Sequence, residues 1–271
     1  MMTPPRWQSA TDELLRQIVM QRRVGLITDM DGTISPIVSN PAEALPTERS
    51  RELLAALHEH LTLVAVVSGR AVVDVRERVG LPQLVYSGNH GLEMWKDGGV
   101  LVTPEIAMYR DDLQAARDTI LSMAPPGMLV EDKAATLSVH YRNTPDPETV
   151  GSDMQPRLAK IAAENNLRLF AGRMVFELRP PLEIDKGVVF RQLVEDYQLD
   201  SALYIGDDTT DADALRMARL LRTEEKCVSA GLGVQSEDVP SVVLETADFT
   251  VDGVAGVEEF LGWLLTCVRA S

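Results

Sequence analysis

Short runs of uninterrupted apolar residues recur along the chain, most of them after a stretch whose apolar positions fall three and four apart. Leu14, Leu15, Ile18 and Val19 predict a helix over 7–21, and the run Val24-Gly25-Leu26-Ile27 that follows reads as a strand covered on both faces. Leu53, Leu54 and Leu57 precede a strand over 63–67, and Val72, Val75 and Val79 precede one over 84–86. A helix carrying Val189, Leu193 and Tyr197 leads to a strand over 202–205. Helix and strand signals in alternation require parallel crossovers, so the expected fold class is α/β with a doubly wound parallel sheet.

Between about 103 and 180 the texture changes. A helix pattern over 106–123 leads to short strands over 128–131 and 136–141. A second helix carries Val150, Met154, Leu158 and Ile161 on one face, and strands over 167–171 and 174–178 follow. Pro104 and the pair Pro180-Pro181 bracket this module as hinges, because proline restricts itself and the residue before it. The expected organisation is a Rossmann-like core over 1–102 and 181–271, with an α+β cap inserted over 103–180. No internal repeat or low-complexity segment is visible.

Composition narrows the partners. With 45% hydrophobic and 25% charged residues, the chain is an ordinary globular protein. Its net charge of −15 argues against nucleic acid and against an anionic membrane surface. An acidic enzyme that handles an anionic substrate must gather its lysines and arginines locally and recruit a cation. Cys227 and Cys267 have neither metal-ligand spacing nor a disulfide framework, which suits a reducing compartment. Residues 1–10 lack a basic and then apolar layout, and no apolar stretch has membrane-spanning length, so the expected location is the cytoplasm.

Four segments carry candidate chemistry. Asp29-Met30-Asp31 follows the first strand and precedes Gly32-Thr33. Side chains two apart on extended backbone share a side, so both carboxylates face one point beyond the strand's carboxyl end, where open α/β sheets bind ligands. Their repulsion is relieved by a cation or a shared proton, and one can serve as nucleophile and the other as general acid/base. Two acids in a solvated turn is the plainer reading. Ser68-Gly69-Arg70 closes the next strand with a hydroxyl and backbone N–H groups suited to a phosphoryl oxygen, though it also fits an ordinary turn. Asp185-Lys186-Gly187 opens a helix with Asp185 as N-cap. A lysine in a first turn opposes the helix dipole, which gives its charge another purpose: neutralising a phosphate or the paired aspartates. Gly206-Asp207-Asp208-Thr209-Thr210-Asp211 ends a strand with hard oxygen ligands of the kind Mg²⁺ takes. Asp208 or Thr209 would suffice as helix cap, leaving Asp207 as the surplus acid.

In order and placement these segments resemble the four motifs of the haloacid dehalogenase phosphatase superfamily. The resemblance implies that Asp29 is a nucleophile forming an aspartyl-phosphate and that Asp31 protonates the leaving oxygen and later activates water. It further implies that Ser68 and Lys186 bind phosphoryl oxygens, and that Asp207 joins Asp29 and the backbone carbonyl of Asp31 around Mg²⁺, with Asp208 and Asp211 behind it. Gly88-Asn89-His90-Gly91-Leu92-Glu93, Glu131-Asp132-Lys133 with His140-Tyr141-Arg142, and Phe176-Glu177-Leu178-Arg179-Pro180 are similar to segments of the trehalose-phosphatase family, over about residues 23–265.

That similarity implies Mg²⁺-dependent hydrolysis of trehalose 6-phosphate to trehalose and inorganic phosphate. It also implies a cap closing over the sugar, with Glu131, Lys133 and Glu177 on the glucose hydroxyls; the proline hinges outside the cap predict closure by rigid-body rotation. Gly32, Thr33, Gly69, Arg70, Asn89 and His90 join the substrate-binding set. His90 reads equally as a structural histidine beside a turn, and Arg142 and Arg179 equally as partners of nearby acids. Met30 departs from the aromatic or aliphatic residue common at its position, harmlessly because its side chain alternates away from the phosphate. The expected state is a monomer, with the trehalose-6-phosphate synthase as a possible associate.

Close alternatives are a phosphatase of another sugar phosphate, of sucrose or glucosylglycerol type, because cap contacts choose the substrate. A non-catalytic sugar-phosphate sensor would be marked by loss of the nucleophile, acid/base, lysine or metal acid, and all four are present. A glycosyltransferase reading leaves Lys186 and the Asp207 segment unexplained.

Overall fold

A computed structural model describes residues 4–38, 40, 43–172 and 174–270. The chain divides into two compact units, Met1–Val100 with Ile184–Ser271, and Leu101–Glu183.

The first unit is built on an eight-stranded sheet. Its strands are β1 (Val24–Thr28), β2 (Leu63–Val67), β3 (Val85–Gly88), β4 (Glu93–Lys96), β5 (Gly99–Val102), β10 (Ser201–Gly206), β11 (Val228–Gln235) and β12 (Phe249–Asp252), in the order β12-β11-β10-β1-β2-β3-β4-β5. The six strands from β12 to β3 are parallel, and β4 runs antiparallel to β3. The expected all-parallel sheet is therefore mixed at one edge, where β4 turns back into β5 through Asp97 and Gly98, both at positive φ. Asp-Gly is a two-residue hairpin signal, and here it governs the edge.

Strict alternation explains the apolar runs. Leu26, Val64, Val66, Leu203 and Ile205 point to one face of the sheet, and Ile27, Leu63, Ala65, Val67, Ala202 and Tyr204 to the other. The first face is covered by α1 (Leu14–Val19), α2 (Glu48–His58), α3 (Val72–Val79) and α9 (Gly253–Ala270). The second is covered by α6 (Lys186–Asp196), α7 (Asp211–Thr223) and α8 (Ser241–Thr246). A strand buried on both sides has no polar face to show, which is why these read as continuous runs.

The helix expected over 7–21 is broken. Trp7–Ala10 forms a 3₁₀ turn before α1 begins at Leu14. Trp7 is buried edge-on to Phe260 at 5.3 Å and tilted against Trp263 at 5.4 Å, and this anchoring sets the chain's entry independently of helix periodicity. Among the described residues, no helix is long and apolar enough to cross a membrane.

The second unit has a four-stranded antiparallel sheet in the order β6-β7-β9-β8, formed by β6 (Leu129–Asp132), β7 (Leu137–His140), β8 (Arg168–Gly172) and β9 (Val175–Arg179). On one face α4 (Arg110–Met123) and α5 (Pro147–Glu164) pack Leu113, Ile120, Leu158 and Ile161 against Leu137, Val139, Phe176 and Leu178. The helix expected over 106–123 starts as a 3₁₀ turn at Pro104–Tyr109. On the other face the register aligns Glu131, Ser138 and Glu177 in one cross-strand row.

Candidate active site

The carboxyl ends of β1, β2 and β10 lie side by side, because Thr28 pairs with both Val66 and Ile205. Asp29 continues that ladder, its N–H donating to Ile205 O at 2.9 Å, and is buried. Met30 turns into the core and is fully buried, so the residues either side of it are left at the strand end. The chain then closes tightly: Ile34 and Ser35 N–H both donate to Met30 O at 3.0 Å. Gly32 sits at φ +80, and a Cβ there would lie 2.0 Å from Asp207 Oδ2, so only glycine lets the Asp207 carboxylate come against this turn. Thr33 Oγ1 donates to Asp207 Oδ1 at 3.2 Å.

Lys186, at the first turn of α6, is 2% exposed. Its Nζ lies 2.8 Å from Asp29 Oδ1 and 2.6 Å from Asp211 Oδ1. Asp185 caps the same helix by accepting from Val188 N at 2.9 Å. Neither Asp208 nor Thr209 caps α7, whose N-cap Thr210 makes no side-chain capping hydrogen bond. Instead Asp211, inside the first turn, accepts from Asp207 N at 3.1 Å and Asp208 N at 2.9 Å through Oδ2, and from Tyr204 Oη at 2.6 Å through Oδ1. Asp211 is thus the centre of the hydrogen bonding in this segment, behind Asp207.

Oxygens of Asp29, Asp207 and Asp211 lie within 4.8 Å of one another. Burial, with the neighbouring carboxylates, raises Asp29 well above the ordinary carboxylate range although Lys186 opposes this, and pushes Asp207 up to about 7. Burial alone would depress the Lys186 ammonium, but Asp211 and Asp29 outweigh it and raise its pKa. One lysine among three buried acids leaves excess negative charge, and hard oxygens fit a divalent cation of the Mg²⁺ class.

Asp31 is placed apart from this cluster. Arg70 holds it bidentately, Nε to Oδ2 at 2.7 Å and Nη2 to Oδ1 at 2.9 Å, and also reaches Asp74 at 3.0 Å. Asp74 accepts in turn from Arg78 at 2.8 Å. Sequence reasoning set Arg70 toward substrate and offered no sign of this pairing, which joins residues far apart in the chain.

The loops after β2 and β3 are tied together. Asn89 N–H donates to Arg70 O at 2.7 Å and His90 N–H to Ser68 O at 3.0 Å, with Asn89 and His90 both at positive φ. Ser68 Oγ accepts from Arg70 N at 3.2 Å. The His90 ring covers Gly69, where a Cβ would fall 2.6 Å from its Cε1 and Nε2. Glu93 Oε2 accepts from Val72 N at 2.9 Å.

In the second unit Glu177 is buried. Arg179 Nε donates to its Oε2 at 2.6 Å, and Lys133 Nζ and Ser138 Oγ lie 3.4 Å from Oε1. His140 Nε2 is 3.1 Å from Glu131 Oε2. Lys133 and Glu177 are therefore brought together on the polar face of this sheet, with Glu131 in the same row.

Residues 27–242 match the family profile described as "Trehalose-phosphatase". A trehalose-phosphate phosphatase of Mycobacterium avium (strain 104) is 34% identical over 213 residues, covering 73% of this chain and 52% of that protein. That of Mycobacterium leprae (strain TN) is 31% identical over 266 residues, covering 88% and 57%. The chain spans about half the length of the curated relatives it matches. Among solved structures, the C-terminal domain of the Candida albicans trehalose-6-phosphate phosphatase shares the fold with a TM-score of 0.75 at 22% identity, covering 98% of each chain.

Proposed function

The chain belongs to the trehalose-phosphatase family, and from that membership we propose that it hydrolyses trehalose 6-phosphate to trehalose and inorganic phosphate. The observation that carries the reading is the buried Lys186 bridging Asp29 and Asp211 at the joined ends of β1 and β10. Such a site offers a carboxylate nucleophile beside a fixed ammonium, a pairing that suits phosphoryl transfer through a covalent intermediate.

In the reaction, an Asp29 oxygen attacks phosphorus and the bond from phosphorus to the sugar oxygen breaks, while Asp31 gives its proton to that oxygen. Water then attacks the aspartyl-phosphate, its proton passes to Asp31, and the bond from phosphorus to Asp29 breaks to release phosphate. Lys186 balances charge on the phosphoryl oxygens, and the Ser68 hydroxyl donates a hydrogen bond to one of them. Arg70 orients Asp31 and must yield it for proton transfer. Asp29, Asp207 and the Asp31 carbonyl would hold Mg²⁺, which supplies further neutralisation of the phosphoryl group. Gly32, Thr33, Gly69, Asn89 and His90 shape the phosphate side. In this reading the first unit does the chemistry and the second selects the sugar.

The test is phosphate release from trehalose 6-phosphate, sucrose 6-phosphate, glucose 6-phosphate and glucosylglycerol phosphate, with and without Mg²⁺. Strong Mg²⁺-dependent preference for the first is expected. Activity on another sugar alone would keep the chemistry and reassign the substrate, and no release from any would leave a sugar-phosphate sensor.

The charge balance gives a prediction read without substrate. In the folded, metal-free protein Asp29 and Asp207 keep protons that the unfolded chain gives up near pH 4. Their contribution to stability is therefore full below that pH and lost as pH rises, for Asp207 through about 7. A cation favours the ionised carboxylates and competes with those protons. Mg²⁺ should thus raise the melting temperature more at pH 8 than at pH 5.5, and an equal shift at both would remove the buried acids from the metal site.

Selection of the sugar by the second unit rests on Glu177 and its neighbours. Charged acceptors and donors suit a polyhydroxylated ring, since each can orient more than one hydroxyl. Glu177→Ala should raise KM for trehalose 6-phosphate by about 10-fold or more, the size of a lost hydrogen bond to a charged group. Turnover of p-nitrophenyl phosphate should stay unchanged. Equal losses on both esters would mean that Glu177 does not read the sugar.

A further inference from the structure

Tyr204 occupies a position that the fold would fill with hydrocarbon. On β10 it points into the layer of α6 and α7 between Ala202 and the strand end, fully buried, with its ring edge-on to Phe190 at 5.9 Å. Phenylalanine would fill nearly the same volume without a hydroxyl to desolvate, so it is the hydroxyl that requires an account. It donates to Asp211 Oδ1 at 2.6 Å, the same oxygen that Lys186 approaches at 2.6 Å.

A carboxylate has about four lone-pair sites. Asp211 has four donors: Tyr204 Oη and Lys186 Nζ on Oδ1, Asp207 N and Asp208 N on Oδ2. Its capacity is filled, so although its oxygens lie among those of Asp29 and Asp207, it can take a cation only by releasing one of them. Asp211 is therefore an anchor. One oxygen fixes the turn that carries Asp207, and the other is divided between a neutral and a charged donor. That division sets the reach of Lys186, whose other partner is Asp29 at 2.8 Å. Without the hydroxyl, Oδ1 meets the ammonium alone and draws it from Asp29, and the grip of Asp211 on the 207–208 turn is redistributed.

We propose that the Tyr204 hydroxyl is a positioning group that acts through Asp211, setting how far Lys186 extends toward Asp29 and where the turn presents Asp207. This deepens the phosphatase reading above and rests on it for the identity of the site, but not on the identity of the sugar. It assigns a function to a residue that touches neither substrate nor cation.

The test uses the full chain and three variants. Tyr204→Phe keeps the ring, Tyr204→Met removes both ring and hydroxyl, and Phe190→Leu loosens the packing around Tyr204 while leaving the hydroxyl in place. Mg²⁺ binding is measured by calorimetry without substrate, and inorganic phosphate binding in the presence of Mg²⁺. Melting temperature is followed by circular dichroism, and kcat and KM are measured on p-nitrophenyl phosphate.

Both Tyr204 variants should bind Mg²⁺ and phosphate about tenfold more weakly and lose about tenfold in kcat, whatever their melting temperatures. Phe190→Leu should melt lower with both affinities intact. Affinities that track melting temperature across the three variants would reduce Tyr204 to packing and overturn the proposal, as would wild-type affinities in Tyr204→Phe. Failure of the wild-type protein to release phosphate from any sugar phosphate would instead count against the function proposed above, while the calorimetric comparison would still decide the role of Tyr204.

Discussion

Asp29→Asn is expected to abolish phosphate release, lowering kcat by at least about 10⁴-fold, while the protein folds as before. The amide is a poor nucleophile toward phosphorus, so the proposed attack by Asp29 would have no substitute. Two features make the variant safe for the fold. The side chain keeps its shape and an oxygen for Lys186 Nζ, which lies 2.8 Å from Asp29 Oδ1. It also makes permanent the neutral state that burial, Asp211 and Asp207 all favour. The melting temperature of the metal-free variant at pH 8 should therefore equal or exceed that of the wild type, and Mg²⁺ should stabilise it less. Phosphate release and thermal unfolding in the same preparations check both halves. Substantial residual turnover would rule out attack by Asp29, and a large fall in melting temperature would mean that the loss of activity reports misfolding.

Lys186→Met should act in the opposite direction on stability. The ammonium is 2% exposed and is the partner of two buried carboxylates. Removing one member of a buried ion pair leaves the other charge uncompensated and costs about 3–5 kcal/mol. For a unit of the size of the first, which holds Lys186, that corresponds to roughly 10 °C in its melting temperature. The loss should be largest above about pH 7, where Asp207 is ionised, and smaller at pH 5, where protons on Asp29 and Asp207 substitute for the missing cation. Turnover should fall by about 10²–10³-fold through loss of charge stabilisation on the phosphoryl oxygens. Circular dichroism melts at the two pH values test the electrostatic account, and a pH-independent loss would assign the effect to packing.

What could be read from the sequence was local or periodic. Leu26 and Ile27 alternate to opposite faces of a doubly covered strand, so the run itself announced a buried parallel strand, and the acids directly after it announced a strand-end site. Asp185 announced its helix because a cap acts over three residues. The anchoring of Trp7 against Phe260 and Trp263 was invisible to periodicity, since its partners lie at the far end of the chain. The Asp97-Gly98 hairpin was legible by turn chemistry but stands among strands too short to signal themselves. The bidentate Arg70–Asp31 pair and the double use of Asp211 Oδ1 depend on where separate strand ends meet, and no spacing within one segment encodes them.

Among the described residues, the second unit draws its buried apolar cluster wholly from its own residues, with Leu113, Ile120, Leu137, Leu158 and Phe176 among them, and shares none with the two clusters that line the large sheet. Two separate cores can melt as two cooperative steps, and a single unfolding free energy then has no defined meaning. The three tryptophans, Trp7, Trp95 and Trp263, all belong to the first unit. Intrinsic tryptophan emission therefore reports only that unit, and a variant such as Glu177→Ala could unravel the smaller sheet without any change in the fluorescence trace.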